Sequence, residues 1–355
     1  MRVAMIGPPY SGKTTLFAAI AEAGGSKVDV SRPDQPHLAV VKVPDERLRW
    51  LTGIYKPQKE VPAEIELLDM PGVDLADAVA REHWRRHWAQ VRDCGLVVMV
   101  VREFEDDSVP AYRNRIDPAG DAGELRAEML FADLEQVTSR IEKLEAQLKK
   151  PANHDATQRE LELMARLREA LEQEKPINQA VHNEAEGKLL RSFAFLSGRN
   201  HVVVLNCDES HAGQAPQPVA GLEAIRLSAR IEEEIAQLDV ADRTAFLADL
   251  GLTAPARDRL LRECYHKLGL VTMFTVGEDE CRAWTLPAGT DAVNAAGAIH
   301  SDIARGFIRA ETMTHEDLHA AKGDEKAVRA AGKLRLEGKQ YIIKDGDIVN
   351  FRFNV

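Results

Sequence analysis

Short apolar runs separated by polar stretches fill the first part of the chain. The run at residues 96–101 is continuously apolar, which is typical of a parallel strand buried on both faces. Segments with helical character at 15–20 and 74–93 alternate with the runs. The pattern therefore predicts an α/β fold with a mostly parallel sheet. The predicted strands are residues 3–6, 37–43, 61–68, 96–101 and 201–205.

From residue 123 the apolar positions change to a heptad pattern, alternately four and three residues apart. A polar break at 149–154 separates this seam from a second helical stretch, 161–176. Two such helices joined by a short loop predict an antiparallel coiled-coil hairpin. The alternative is a pair of ordinary core helices. The seam positions are Leu130, Leu134, Val137, Ile141, Leu144 and Leu148.

The C-terminal part has a third pattern, which suits a small β-grasp domain. It predicts a helix at 292–300, a turn at 344–347 and strands at 284–286, 341–343 and 348–353. The predicted organisation is a discontinuous nucleotide-binding domain, a helical insertion and a β-grasp domain. Their boundaries are 1–122 with 200–276, 123–199 and 277–355.

Composition excludes several classes of protein. The formal net charge of −11 disfavours wholesale coating of nucleic acid, and DNA is not an expected partner. The chain has no apolar run long enough for a membrane span. Its cysteines are widely scattered, which argues against a zinc site or a disulfide framework and predicts a cytoplasmic protein. They are Cys94, Cys207, Cys264 and Cys281.

Residues 7–14 read G-x-x-x-x-G-K-T between a predicted strand and a helix, the setting of a phosphate-binding loop. Gly7 and Gly12 let backbone N–H groups approach a phosphate, and the helix N-terminus favours negative charge. Lys13 is predicted to face the β- and γ-phosphates and to stabilise the transferring phosphoryl group. Thr14 is predicted to ligate Mg2+.

Two further motifs follow at strand ends. Asp69 and Gly72 form D-x-x-G, in which the aspartate holds Mg2+ and the glycine N–H senses the γ-phosphate. The segment 206–209 stands where a base-reading N-K-x-D motif is expected, and 227–230 matches the S-A-K loop. The predicted nucleotide-binding residues are Gly7, Pro8, Pro9, Tyr10, Ser11, Gly12, Lys13, Thr14, Thr15, Asn206, Cys207, Glu209, Ser228, Ala229 and Arg230.

Several segments resemble the YchF-type GTPases/ATPases of the Obg-related group, over essentially the whole chain. They are residues 43–48, 132–137, 304–311, 331–339 and 345–347. The resemblance implies a Ras-like nucleotide domain, a coiled-coil insertion and a C-terminal TGS-type domain. It also implies association with a ribosome or RNA and a preference for ATP. Glu209 and Cys207, in place of the usual aspartate and lysine, fit weak selection of guanine.

The chain also departs from the family at positions that affect hydrolysis. Tyr10 stands where the family has an asparagine that can bind a monovalent cation, and Pro33 stands where it has a switch threonine. Val73 follows D-x-x-G where Ras-like enzymes have a water-orienting glutamine; the resemblance implies an apolar residue there, and valine cannot orient water. Three readings stay open: a slow Mg2+-dependent hydrolase of ATP or GTP, a nucleotide-binding scaffold without turnover, and a ribosome- or RNA-binding module with a structural nucleotide.

Overall fold

The computed structural model describes residues 1–149 and 154–354. The strands are β1 (Arg2–Ile6), β2 (His37–Lys42), β3 (Lys59–Val61), β4 (Glu64–Asp69), β5 (Leu96–Arg102), β6 (Asn200–Asn206), β7 (Ala224–Leu227), β8 (Leu270–Thr275), β9 (Glu280–Pro287), β10 (Phe307–Thr314), β11 (Arg335–Glu337) and β12 (Asp347–Phe353). The α-helices are α1 (Lys13–Ala23), α2 (Glu46–Tyr55), α3 (Ala78–Trp84), α4 (Trp88–Arg92), α5 (Pro118–Leu148), α6 (His154–Glu172), α7 (Glu184–Leu190), α8 (Ala229–Gln237), α9 (Val240–Asp249), α10 (Ala256–Lys267), α11 (Ala292–Ile299), α12 (Ser301–Arg305), α13 (His315–Ala320) and α14 (Glu325–Ala330).

The first sheet has the strand order β2-β4-β1-β5-β6-β7. Strand β1 pairs in parallel with β4 and β5, and β6 pairs in parallel with β5 and β7. Every residue of β5 is buried, as its unbroken apolar run predicts. The predicted α/β class with a mostly parallel sheet is confirmed. Because the strands are parallel, the loops that follow β1, β4, β5 and β6 all leave the same edge of the sheet.

Two predicted elements in this part differ from the structure. The predicted strand at 61–68 is interrupted at Pro62, which cannot donate to a strand ladder. Its first part belongs to β3, which pairs with β9 in the second sheet. The predicted helix at 74–93 starts only at Ala78, where the Asp77 side chain accepts a hydrogen bond from Ala80 N and caps α3. A short 3-10 turn then separates α3 from α4.

The predicted helical hairpin is present as α5 and α6. Arg140 Nε, near the end of α5, donates to Glu160 Oε1 near the start of α6 at 2.7 Å, as antiparallel helices require. The predicted break at 149–154 lies mostly outside the described residues. The earlier part of α5 packs in the core of the parallel sheet, whereas the later part packs against α6. The buried side chains of the hairpin core include Leu130, Val137, Ile141, Leu144, Leu163, Met164, Leu167 and Leu171.

The second sheet has the order β11-β10-β12-β8-β9-β3. Strand β10 is antiparallel to β11 and β12, and β8 is antiparallel to β9. The predicted strand at 341–343 is wrong, because only Ile342 forms an isolated bridge, with Asp291. The apolar pattern of this segment has another cause, because Ile343 is buried in the domain core. Tyr341 donates its hydroxyl hydrogen to Asp347 Oδ2 at 2.8 Å.

Contacts divide the chain into two compact units, Met1–Ala39 with Glu66–Ala256 and Val40–Ile65 with Arg257–Val355. The first contains most of the parallel sheet and the hairpin, and the second contains all strands of the second sheet. The three predicted domain boundaries stay a prediction. Among the described helices, none is long and apolar enough to cross a membrane.

Candidate functional site

The phosphate-binding loop, residues 7–14, joins β1 to α1. Gly12 has φ 79°, a left-handed conformation that favours glycine. A Cβ on Gly12 would lie 2.1 Å from Asn206 Nδ2, and a Cβ on Gly7 would lie 2.3 Å from the Val100 carbonyl oxygen. The loop is therefore held close to the ends of β5 and β6, and a side chain has no room at either glycine.

Lys13 is the first residue of α1, and its side chain is almost fully buried. Its Nζ donates to Asp69 Oδ1 and to the Met70 carbonyl oxygen. Burial lowers the pKa of Lys13, and the Asp69 carboxylate acts in the opposite direction. The structure thus brings together the lysine of the phosphate-binding loop and the aspartate of D-x-x-G.

The same aspartate contacts two other side chains. Thr14 Oγ1 donates to Asp69 Oδ2 at 2.9 Å, and His37 Nδ1 lies 3.4 Å from that oxygen. Hydroxyl and carboxylate oxygens are ligands that Mg2+ prefers, and neighbouring ligands of an octahedral Mg2+ lie about 3 Å apart. Thr14 and Asp69 therefore fit a Mg2+ site. Within 1–149 and 154–354, no three His, Cys, Asp or Glu residues form a metal-binding group, so further ligands would come from phosphate oxygens and water.

The segment after Asp69 is tied to the phosphate-binding loop. Val73 N donates to the Gly7 carbonyl oxygen at 2.9 Å. A Cβ on Gly72 would lie 3.2 Å from Pro9 Cα. The Trp84 indole N–H donates to the Pro71 carbonyl oxygen at 3.0 Å, so α3 also holds this segment. The D-x-x-G glycine consequently lies beside the predicted phosphate position.

Helix α3 is in turn fixed to α5. Arg81 Nη2 lies 2.5 Å from Glu128 Oε2, and Arg85 Nε lies 3.5 Å from Glu128 Oε1. Both guanidinium groups also lie over the Phe131 ring, with centroid distances of 5.5 and 5.0 Å. Glu128 is buried, so it needs these cationic partners. The segment after D-x-x-G is therefore anchored at several points.

Asn206 joins the base-side motifs to the phosphate-binding loop. Its Nδ2 donates to the Ser11 carbonyl oxygen at 2.9 Å, and its Oδ1 accepts from Ala229 N at 2.9 Å. Ser228 caps α8, where its side chain accepts from Ile231 N. Because Asn206 is buried, both of its hydrogen bonds are made away from water.

A cavity of about 550 Å3 opens next to Asn206. Seven predicted nucleotide-binding residues line it: Thr15, Asn206, Cys207, Glu209, Ser228, Ala229 and Arg230. The remaining lining residues are Phe104, Glu105, Asp106, Val109, Asp208 and Ser210, which sequence reasoning missed.

The two altered base-side residues differ in environment. Cys207 is buried, and burial raises the pKa of its thiol to about 12, so it stays protonated. Glu209 is exposed, with Oε1 3.8 Å from Arg230 Nε at the surface. Cys207 therefore contributes an uncharged side chain to the cavity wall, whereas the Glu209 carboxylate lies near the Arg230 guanidinium.

Some predicted residues lie outside this cavity lining. Pro8, Pro9, Tyr10 and Ser11 belong to the phosphate-binding loop, where Tyr10 is 59% exposed and has φ 62°. The Ser11 hydroxyl is buried, and no hydrogen-bond partner is found for it in the described part of the chain. His37, which contacts Asp69, was not predicted either, because a single histidine at a strand start carries no motif.

Comparisons with known proteins agree with this arrangement. A family model for the C-terminal part of YchF GTPases, described as "Protein of unknown function (DUF933)", matches residues 270–354. A second model, described as "50S ribosome-binding GTPase", matches residues 2–130. The two models match the nucleotide side and the C-terminal side of the chain separately.

Similar proteins extend the match to nearly the whole chain. "Ribosome-binding ATPase YchF" of Bacillus subtilis is 37% identical, over 99% of this chain and 98% of that protein. "Obg-like ATPase 1" of Caenorhabditis elegans is 31% identical, over 100% and 92%. The solved structure of the Schizosaccharomyces pombe YchF GTPase has a TM-score of 0.84 at 27% identity, covering 99% of this chain and 97% of that one. On this fold, these motifs and this full-length similarity, the chain belongs to the YchF family.

Proposed function

We propose that this protein is a Mg2+-dependent nucleotide-binding switch protein of the cytoplasm. It binds ATP or GTP, hydrolyses it slowly to the diphosphate and phosphate, and acts with ribosomes or RNA. One observation carries the proposal: Lys13, Thr14 and Asp69 meet where β1 and β4 end, and Asn206 links the same loop to a cavity of about 550 Å3.

Each residue has a proposed role. The N–H groups of the phosphate-binding loop bind the phosphates, and Lys13 stabilises the charge on the transferring phosphoryl group. When nucleotide is bound, Lys13 exchanges Asp69 and the Met70 carbonyl for phosphate oxygens. Thr14 and Asp69 would hold Mg2+, which supplies charge neutralisation at the β- and γ-phosphates. The Gly72 N–H faces the γ-phosphate.

Recognition of the base is assigned to the cavity beside Asn206. Cys207 has no charge to place over the base, and Glu209 is one methylene longer than the usual aspartate. A carboxylate does not select adenine, whose N1 is an acceptor, so backbone groups beside Asn206 and Ser228 are the proposed readers. We expect ATP to bind at least as well as GTP.

A nucleotide-binding scaffold with little or no turnover is the second candidate. It is favoured by the anchored segment after D-x-x-G, where Trp84 holds the Pro71 carbonyl and α3 is clamped to α5 through Glu128. Pro33 and Val73 offer neither a hydroxyl nor a water-orienting group. The binding residues are the same in both candidates, so turnover alone distinguishes them.

Partner binding follows from the relatives' names and not from the site. The Bacillus subtilis relative is named a ribosome-binding ATPase. We propose the same partner here, either the ribosome or RNA within it. Sedimentation of the purified protein with ribosomes, with and without ATP, tests this part separately.

The test of the nucleotide site is isothermal titration with ATP and GTP in the presence and absence of Mg2+, followed by single-turnover phosphate release. We expect saturable, Mg2+-dependent binding of ATP and slow release of phosphate. Binding without release supports the scaffold. Binding of neither nucleotide refutes the proposal for this site.

A further inference from the structure

One wall of the base-side cavity is formed by residues 103–110, which belong to neither a helix nor a strand. Phe104, Glu105, Asp106 and Val109 of this loop line the cavity. A loop outside helices and strands needs donors from other groups to satisfy its carbonyl oxygens and to fix its shape.

Arg102, the last residue of β5, supplies those donors. Its Nε donates to the Phe104 carbonyl at 3.0 Å, and Nη2 donates to the Asp106 carbonyl at 3.1 Å. Its Nη1 donates to the Val109 and Pro110 carbonyls at 3.0 and 3.1 Å. The guanidinium carbon also lies 4.3 Å from the centroid of the Phe104 ring. One side chain thus binds both ends of the loop.

The chemistry of this contact requires arginine. Arg102 is only 5% exposed, so its charge is compensated by the four carbonyl dipoles instead of water. A guanidinium presents five donors in a rigid plane, whereas a lysine ammonium is a single point with three donors. Lysine at this position cannot reach all four carbonyls together.

A second side chain, that of Asp208, also fixes this loop. Both Asp208 carboxylate oxygens lie 3.3 Å from Glu105 N and accept from it. Asp208 itself lines the cavity and belongs to the segment that follows Asn206. The loop is therefore tied to the base-side motif as well as to Arg102.

We propose that Arg102 is a positioning residue for recognition of the nucleotide base. It holds the Phe104 ring and the 103–110 loop in the shape that accepts the base, and it does not contact the phosphates. The inference rests on the proposed function, because it takes ATP or GTP as the ligand of the cavity. It assigns base affinity and phosphate affinity to different residues.

The experiment compares Arg102→Lys and Arg102→Met with the unmodified protein, using ATP, GTP and inorganic tripolyphosphate in Mg2+ as titrants. ATP and GTP affinities are expected to fall at least about tenfold, a change of about 1.4 kcal/mol. Tripolyphosphate affinity is expected to stay within about twofold, because this anion has no base. A purely structural role for Arg102 would weaken all three titrants together and would overturn the proposal.

Arg199→Lys is the matched control. The Arg199 guanidinium also donates to backbone carbonyls, those of Cys94 and Arg92. Arg199, however, lies just before the start of β6, whereas the cavity lies at its end, beside Asn206. Arg199→Lys should lower thermal stability, but it should not lower ATP affinity relative to tripolyphosphate affinity. If Arg199→Lys also lowers ATP affinity selectively, as Arg102→Lys is expected to do, the selective loss does not come from the loop and the proposal is wrong.

A double-mutant cycle tests whether Arg102 acts through Phe104. In a Phe104→Ala background, Arg102→Lys should lower ATP affinity by less than about twofold further. Full additivity overturns the proposed route. If Arg102→Met fails to fold, Arg102→Lys and Asp208→Ala provide the measurement, since Asp208→Ala removes the acceptor of Glu105 N and so releases the same loop from the segment after Asn206. Unchanged ATP affinity in Arg102→Lys refutes this inference, whereas a native protein that binds no nucleotide refutes the proposed function.

Discussion

Substitution of Gly12 by alanine tests how the phosphate-binding loop and Asn206 depend on each other. The new Cβ would lie 2.1 Å from Asn206 Nδ2, so Asn206 must leave its position. Asn206 then loses its hydrogen bonds to the Ser11 carbonyl and to Ala229 N, which are buried. Each lost hydrogen bond costs about 1 kcal/mol, and alanine at a left-handed φ costs about 1 kcal/mol more. We expect Gly12→Ala to lower the free energy of unfolding by about 3 kcal/mol.

Gly25→Ala is the matched control. Gly25 has φ +84°, close to that of Gly12, but no atom of the described residues lies within 4 Å of an added Cβ. It should lose only the backbone contribution of about 1 kcal/mol. Urea unfolding followed by circular dichroism measures both variants, and ATP titration should show loss of binding only in Gly12→Ala. Two variants of equal stability, or Gly12→Ala with native ATP affinity, would refute the proposed contact between the loop and Asn206.

The double variant Gly12→Ala/Asn206→Ala distinguishes two costs: the steric clash between the new Cβ and Asn206, and the backbone strain of alanine at a left-handed φ. Removing the Asn206 side chain removes the atom that the new Cβ meets, so the two costs should not add. We expect the double variant to be at least about 1 kcal/mol more stable than the sum of the single changes predicts. Simple additivity would show that Asn206 moves aside without cost.

Three other predictions concern nucleotide binding, the effect of potassium on phosphate release, and the pH dependence of stability. Lys13→Ala should abolish measurable ATP and GTP binding in calorimetry, because Lys13 is the proposed partner of the phosphates, whereas Lys27→Ala should change neither, because Lys27 is exposed outside the loop; unchanged affinity in Lys13→Ala would remove this loop from the site. Phosphate release should be slow and equal in potassium and sodium buffers, because Tyr10 replaces the asparagine that can bind a monovalent cation; a large potassium acceleration would contradict this. Burial lowers the pKa of His201 to about 4 from an ordinary value near 6.5, so the unfolded chain binds more protons between those pH values and stability falls as pH decreases from 6.5 to 4. His201→Gln should remove up to about 3 kcal/mol of that decrease in urea unfolding at pH 7 and pH 4.5; an unchanged pH dependence would show that another group is responsible.

The sequence predicted the parts of the site that depend on local pattern. The phosphate-binding loop needs glycines at fixed spacing, and a buried parallel strand needs a continuous apolar run, so residues 7–14 and β5 could be identified directly. Asn206 could also be placed, because it ends an apolar strand. The heptad spacing likewise identified the helical hairpin, since that pattern reflects contacts between neighbouring helices.

The remaining features depend on contacts between distant segments. In the sequence, Arg102 is only a charged residue at the end of a predicted strand. The carbonyl groups that it binds become visible only in the folded loop. Phe104 has no motif, because any apolar ring can form a cavity wall. The strand predicted at 341–343 failed for a related reason. Ile343 and Tyr341 contribute to the domain core, whereas Ile342 is exposed, and burial alone does not distinguish a strand from a buried loop.

Helix α5 contributes to two hydrophobic cores, and this has a mechanical consequence. Its 31 residues correspond to about 46 Å of continuous helix, because each residue adds about 1.5 Å. The base of this rod is embedded beside the parallel sheet and receives Arg81 and Arg85 from the segment after D-x-x-G. A tilt of about 10° near Met129 would displace the far end at Leu148 by about 5 Å. A small rotation at the base of α5, where Arg81 and Arg85 attach the segment after D-x-x-G, would therefore become a displacement of several ångströms at the far end of the hairpin.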